Sequence, residues 1–333
     1  MRIIVLLIIG TALAMVGGCQ APRPVSDPRE ASARAFLGSP EARSVPVFDG
    51  GDGRLIPWRE LVAMAAAADV VLIGELHGHP LGSASAAALW EDLLATPGVA
   101  ERAALSLEFF DRSEQHYLDD YLTGLIDEPA FLSVGNRTNY AVNPFGHRAM
   151  INTAKACGAP VIAANAPRVY VRAARRDGYD RLASLTPEQR RLFRIPDQLP
   201  PPESGYRARF EAFMSGESSP EEAKPASPTV REPAKQEQLD ASFRSQSLWD
   251  WTMAESIVRA VESGRRPVVQ VIGQFHTNLE GGTVLALRAM NPSLKVLNIA
   301  FMGHDARSLR DQDRGAADVV IYTGPISGSH TSR

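Results

Sequence analysis

The stretch Asp69-Val70-Val71-Leu72-Ile73-Gly74-Glu75-Leu76-His77 decides how this chain folds. A largely β-branched apolar run stops at a glycine, and a carboxylate and, two positions on, an imidazole follow it. A run that stays apolar at consecutive positions reads as a strand buried on both faces, the pattern of a parallel sheet. The same grammar returns in Val271-Ile272-Gly273-Gln274-Phe275-His276. In a parallel sheet such stopping points converge on one edge, where open α/β folds hold ligands.

Working outward, apolar runs at 69–74, 104–109, 160–164, 267–273, 295–301 and 318–323 alternate for the most part with helical periodicities at 58–68, 83–95, 113–122, 145–156, 241–262 and 282–290. Alternation of this kind predicts an α/β fold, with a largely parallel central sheet of about six strands and helices on both faces. The middle is less regular and reads as a small helical subdomain or flap. Thr186-Pro187-Glu188-Gln189 carries a Thr cap, a Pro at the first helical position and an acidic first turn, so a helix begins there. A second is expected over 205–214. Residues 216–238 are Ser, Pro, Glu and Lys without apolar periodicity and read as a disordered insertion.

Length and composition bound the function. With 333 residues, 44% of them hydrophobic, there is material for a sizeable core. A net charge of −3 and the lack of a Lys/Arg stripe with interleaved aromatics argue against nucleic acid as a partner.

The amino terminus reads as an address. Arg2 precedes an apolar stretch over 3–16, too short for a stable membrane span, and small residues follow. Val16-Gly17-Gly18-Cys19 looks like a bacterial lipobox. Residues 1–18 are then a lipoprotein signal peptide, Cys19 carries the lipid (palmitate), and 19–46 form a flexible tether to an α/β domain over 47–324, with a loose tail at 325–333. Gln20 after the Cys, by resemblance to Gram-negative lipoproteins, favours the outer membrane, facing the periplasm. The other cysteine, Cys157, ends a helical stretch and reads as a small buried hydrophobe. No intramolecular disulfide or haem-attaching C-x-x-C-H is available, so any cofactor is held non-covalently.

The chemistry gathers at the strand ends. Glu75 and His77 project to one side if the strand persists, Glu108 ends Leu105-Ser106-Leu107-Glu108, Asn165 ends Val161-Ile162-Ala163-Ala164-Asn165, and His276 closes the last motif. Any one polar strand end can simply cap the following helix. The set supports a shared pocket. His79 reads as solvated, and His116 as a partly exposed residue of the helix over 113–122. His147, in Asn139-Tyr140-Ala141-Val142-Asn143-Pro144-Phe145-Gly146-His147-Arg148, stands beside Tyr140 and Phe145 where a loop enters a helix, and such a segment can supply haem with an axial Tyr or His, an apolar wall and a cation.

Gly74-Glu75-Leu76-His77, Leu107-Glu108-Phe109-Phe110, Pro160-Val161-Ile162-Ala163-Ala164-Asn165-Ala166-Pro167-Arg168 and Gly273-Gln274-Phe275-His276 resemble, in order and spacing, the ChaN-like haem-binding lipoproteins, relatives of the Tiki and erythromycin-esterase-like proteins. The helix over 246–259, with Trp249, Asp250, Met253 and Ala254, is also similar to the family's. The resemblance implies a non-enzymatic, membrane-anchored haem-binding protein of haem or iron uptake, able to form a homodimer around its cofactor. Arg168, Arg172 or Arg148 would meet the propionates. Pro80-Leu81-Gly82-Ser83 replaces the further histidines that often follow the first motif, and the axial ligand is left open between Tyr140, His147 and another residue.

Two other readings stand beside it. A metal-dependent hydrolase would hold Zn or Mn on His77, His276 and Glu75, with Glu75 and Glu108 as catalytic carboxylates. A non-catalytic envelope scaffold would use the same polar residues as caps. Serine hydrolases, P-loop nucleotide hydrolases and dinucleotide oxidoreductases lack their motifs.

Overall fold

Consecutive apolar residues build strands whose two faces feed two separate cores. The computed structural model describes residues 38–133, 147–201, 204–216 and 232–325. Its strands are β1 (Val47–Asp49), β2 (Val70–Glu75), β3 (Ala104–Asp111), β4 (Val161–Asn165), β5 (Val268–Gly273), β6 (Val296–Met302) and β7 (Val319–Tyr322). The helices are α1 (Trp58–Ala67), α2 (Pro80–Ala95), α3 (Gln115–Leu122), α4 (Glu128–Ser133), α5 (His147–Cys157), α6 (Arg168–Ala183), α7 (Pro187–Arg190), α8 (Gly205–Met214), α9 (Pro233–Glu262) and α10 (Gly282–Met290).

All the strands join one sheet in the order β1-β7-β6-β2-β5-β3-β4. Every pairing is parallel except β1 with β7. The expected largely parallel α/β sheet is therefore present, and the short antiparallel β1 is the strand that the sequence reading passed over. With 3 residues it offers too little periodicity to detect. Val71 and Ile73, Leu105 and Leu107, and Val269 and Val271 face one core with Leu61, Trp90, Leu118 and Met150. Val70, Leu72 and Val268 face the other, with Ile257, Val261, Val284 and Leu287. Each such side chain, fully buried, stabilises the fold by about 1.5–3 kcal/mol.

Two local expectations are met in detail. Thr186 Oγ1 accepts from the Gln189 amide while the Gln189 side chain accepts from the Thr186 amide, a reciprocal cap on α7. The helix expected over 205–214 spans those residues.

Other expectations are corrected. The fold does not wait for residue 47: a short helical turn at Pro40–Arg43 buries Ala42, and Arg43 pairs with Glu91 and Asp92 of α2. Within the stretch read as disordered, Pro233 onward is the first part of α9, because Pro at a first helical position needs no amide partner. Cys157 is exposed, not buried. His79 is buried rather than solvated, with Nδ1 accepting from the Gly82 amide at the start of α2 and Nε2 on the Gly324 carbonyl oxygen. The signal peptide, Cys19, Tyr140, most of the proposed insertion and most of the tail lie outside the described residues.

Candidate functional site

After β2 the chain moves to β3 and β4 on one side of the sheet, and after β5 it crosses to β6 and β7 on the other, so the strand order reverses around β2 and β5. That reversal opens a crevice at the carboxyl ends of the strands. Of the residues expected at this edge, Glu75, His77, Glu108 and His276 lie together, and His147 joins them.

Glu75 ends β2 with its side chain buried. Its Oε1 accepts from His77 Nδ1 at 2.9 Å and its Oε2 from His147 Nε2 at 2.7 Å. Burial alone would raise the Glu75 carboxyl, but the two imidazoles override it and hold the group at about 2. Burial would likewise lower His77, yet the bond to Glu75 and the nearby Glu108 carry it up to about 9. The His77 side chain is 48% exposed, so water screens part of this effect while leaving its direction. Glu75 thus biases His77 toward its protonated form, and the ring stays open to solvent.

The ring of His77 lies across Gly273, where a Cβ would stand 2.7 Å from Nε2, so glycine is needed for the approach. Phe109 meets His77 edge-on at a centroid distance of 5.4 Å and lies against His147 at 4.3 Å. His147 is buried at the first turn of α5, its Nδ1 without a partner among the described residues. Its Nε2 is engaged by Glu75.

Glu108 Oε2 accepts from the Gly273 amide at 2.6 Å, and its Oε1 lies 3.7 Å from His276 Nε2. Asn165 comes to the same edge but is spent on the backbone: Nδ2 donates to the Glu108 carbonyl oxygen and Oδ1 accepts from the Ala166 amide. These two bonds fix the strand end. Arg168, three residues after Asn165, opens α6, is exposed and makes no ion pair among the described residues. Arg148 pairs with Glu128.

A second carboxylate backs His276. Asp250, 1% exposed in the middle of α9, accepts from His276 Nδ1 at 2.7 Å and from Thr283 Oγ1 at 2.9 Å through Oδ1, and from the Tyr206 hydroxyl at 2.6 Å through Oδ2. Burial would lower His276, but Asp250 and then Glu108 raise it. The Tyr206 hydroxyl is pushed well up by burial and by Asp250. Asp250, Tyr206 and Thr283 were not read as site residues. The available signal was Asp250 itself, one turn after Gln246 on a helix face that is otherwise apolar or small, where a lone carboxylate needs a partner.

The backbone after His276 is strained. Leu279 and Glu280 take positive φ of 51° and 57° without being glycine. Buried Arg209 donates to the Asn278 carbonyl oxygen, and the Leu279 amide donates to that of Ala316. The bend presses Gly281 and Gly282 against His276 and Asp250, where a Cβ on Gly282 would lie 2.1 Å from Asp250 Oδ2. The glycine pair is a packing device.

The metal set expected of a hydrolase is not assembled. Both Glu75 oxygens are taken by imidazoles, and among the described residues no group of three or more His, Cys, Asp or Glu is placed to hold a metal ion.

The family profile described as "Haem-binding uptake, Tiki superfamily, ChaN" matches residues 61–287. No curated protein matches. Among solved structures, ChaN of Campylobacter jejuni, described with cofacially bound haem, superposes with a TM-score of 0.60 at 18% identity, over 84% of this chain and 97% of that one. The type III effector HopBA1 gives a TM-score of 0.42 at 14% identity, covering 86% of this chain and 100% of that one. An erythromycin esterase, EreC, in its open conformation gives 0.38 at 12%, covering 80% and 79%. The profile spans more than half of the sequence, including all four strand ends of the rim, and the chain belongs to the haem-binding ChaN family of the Tiki superfamily.

Proposed function

We propose that this chain binds haem at the carboxyl-terminal rim of its sheet, on the His77 side, as a lipid-anchored protein of haem or iron uptake. The observation that carries the reading is His77, a half-exposed imidazole whose Nδ1 is tied to a buried carboxylate. A carboxylate on one ring nitrogen fixes the tautomer and raises the basicity of the other, the arrangement that supports a metal-ligating histidine. Bound haem supplies an iron that accepts an axial nitrogen and two propionates that need cations.

The residues present fit that group. His77, its Nδ1–H kept on Glu75 and its Nε2 proton released to solvent, would hold the iron through Nε2, Phe109 and Phe275 would supply aromatic surface, and Arg168 would meet a propionate. Phe213 and Met214 at the end of α8 are among the few exposed large apolar side chains, and Phe213 packs on Phe275. Glu75 orients His77, and His147 keeps Glu75 ionised.

Hemin titration followed at the Soret band tests the reading. Saturable binding to the purified chain that weakens at least tenfold in His77→Ala supports it. A response unchanged in His77→Ala, or none in the wild type, removes it. Anchoring through Cys19 belongs to the same proposal, with the outer membrane as the site. Palmitate labelling that persists in Cys19→Ala would defeat that part. A homodimer formed around haem would show as a doubling of mass on adding hemin.

A second reading has its own observation. His77 and His276 each rest Nδ1 on a carboxylate, and both rings flank Glu108. Such a pair can pass protons in a hydrolytic reaction without a metal. Ester or lactone hydrolysis by the purified chain, abolished in both His77→Ala and His276→Ala, is the outcome that would favour it.

A further inference from the structure

The turn after α7 covers the outer part of α9 and leaves an open cleft of about 460 Å³. Arg190, Arg191, Arg194 and Arg259 line it, and its only carboxylates are Asp197 and Glu255. The formal balance of these groups is +4 against −2, a surplus of +2. Arg112 stands behind the wall, its guanidinium N–H groups donating to Glu255, Ser256 Oγ and the carbonyl oxygens of Thr252 and Arg191.

The carboxylates are oversubscribed. Glu255 alone serves Arg112 at 2.7 Å, Arg259 at 3.3 Å and Arg194 at 4.0 Å. Asp197 holds Arg194 at 2.6 Å. Arg190 and Arg191 are exposed; Arg190 makes no ion pair among the described residues, and Arg191 has only the nearby charge of Glu188. The Nε of Arg194 is buried and unbonded. A buried donor without an acceptor beside surplus positive charge calls for an anion. Water can serve an exposed guanidinium, but it does not offset repulsion between guanidiniums that share one carboxylate.

We infer that this cleft binds a phosphate ester. Guanidinium forks match phosphate oxygens in pairs, and a phosphate monoester carries close to −2 at neutral pH, which balances the surplus. The volume admits more than one inorganic ion, so the ligand is a phosphorylated small molecule or a lipid headgroup. None of the cleft residues touches the Glu75 or Asp250 clusters, and the inference does not depend on haem binding.

Calorimetric titration of the purified chain with pyrophosphate is the test, run at low and high salt and repeated on Arg190→Ala/Arg194→Gln. The expected result is saturable binding that salt weakens and that the double variant weakens by roughly tenfold, with an unchanged melting temperature. If the double variant melts early, Arg190→Ala alone, at an exposed and unpaired side chain, gives a smaller loss in the same direction. Vesicles containing phosphatidic acid, whose headgroup is a phosphate monoester, against phosphatidylcholine alone distinguish the source: retention on the anionic vesicles points to a headgroup, and pyrophosphate binding without retention to a soluble ester. No heat and no retention, or a folded double variant that binds as the wild type does, overturns the inference. Displacement of pyrophosphate by hemin also overturns it, by assigning these arginines to propionates.

Discussion

The two halves of the rim use the same element, a carboxylate on the Nδ1 of an imidazole, and differ in how closed they are. Around Asp250 every group is buried: His276, the Tyr206 hydroxyl and Thr283 all point into one carboxylate, and Gly282 packs against it. Around Glu75 the carboxylate is buried but His77 reaches solvent, with Phe109 at its edge. A closed cluster holds its geometry because each donor would lose its only acceptor by moving. A half-open cluster can exchange one neighbour for a ligand. The rim thus has a fixed side that shapes it and an open side that can bind.

Removing the fixed carboxylate has the largest expected effect. Asp250→Ala leaves a buried imidazole, phenol and hydroxyl without an acceptor, and denaturant unfolding is expected to show a loss of about 3–5 kcal/mol. A loss under about 1 kcal/mol would mean that the cluster is not closed. Gly282→Ala and Gly273→Ala then compare the sides directly. The first drives a methyl into pinned Asp250 and is expected to cost about 1–3 kcal/mol. The second meets the far end of His77, which can swing into solvent, so stability changes by less than about 1 kcal/mol while hemin affinity falls. Equal losses at the two glycines would erase the distinction.

Glu75→Gln is expected to weaken hemin binding by about 10–100-fold and to return the His77 titration, followed by NMR, from about 9 toward 6.5. The same pair sets a pH window. Glu75 is held down at about 2 from 4.5, so its stabilisation is complete above about pH 4.5 and is lost as the pH falls toward 2. His77 is held up at about 9 from 6.5, so its share is complete below about pH 6.5 and is lost as the pH rises through 9. Melting curves of the ligand-free chain should show this contribution in full between about pH 4.5 and 6.5, and Glu75→Gln should flatten both limbs. The smallest effect falls at the surface: Arg168→Ala should leave stability within about 0.5 kcal/mol and lower hemin affinity alone.

Strand positions were legible because burial on both faces writes unbroken apolar runs, and β2, β5 and β7 fall within a residue or so of the runs that announced them. Helix starts with a Thr cap or a Pro at the first turn were legible for an equally local reason. Burial of single polar residues was not. His79 reads as a loop histidine because its partners, Gly82 and Gly324, include one from the far end of the chain.

For this protein the order of the residues alone determined the α/β class, the apolar runs that lead to Glu75, Glu108, Asn165 and His276, and the family likeness, since all of these rest on periodicity and short motifs; that β3 continues past Glu108 to Asp111 and that His276 sits in a turn beyond β5 was not legible. Only the tertiary structure decided what those residues do. It joined His147 to Glu75 and Asp250 to His276, turned Asn165 onto the backbone, and left His77 open. Partners brought together by crossing helices and by a strained bend leave no periodic trace, because hydrogen bonding depends on distances in space that spacing along the chain does not encode.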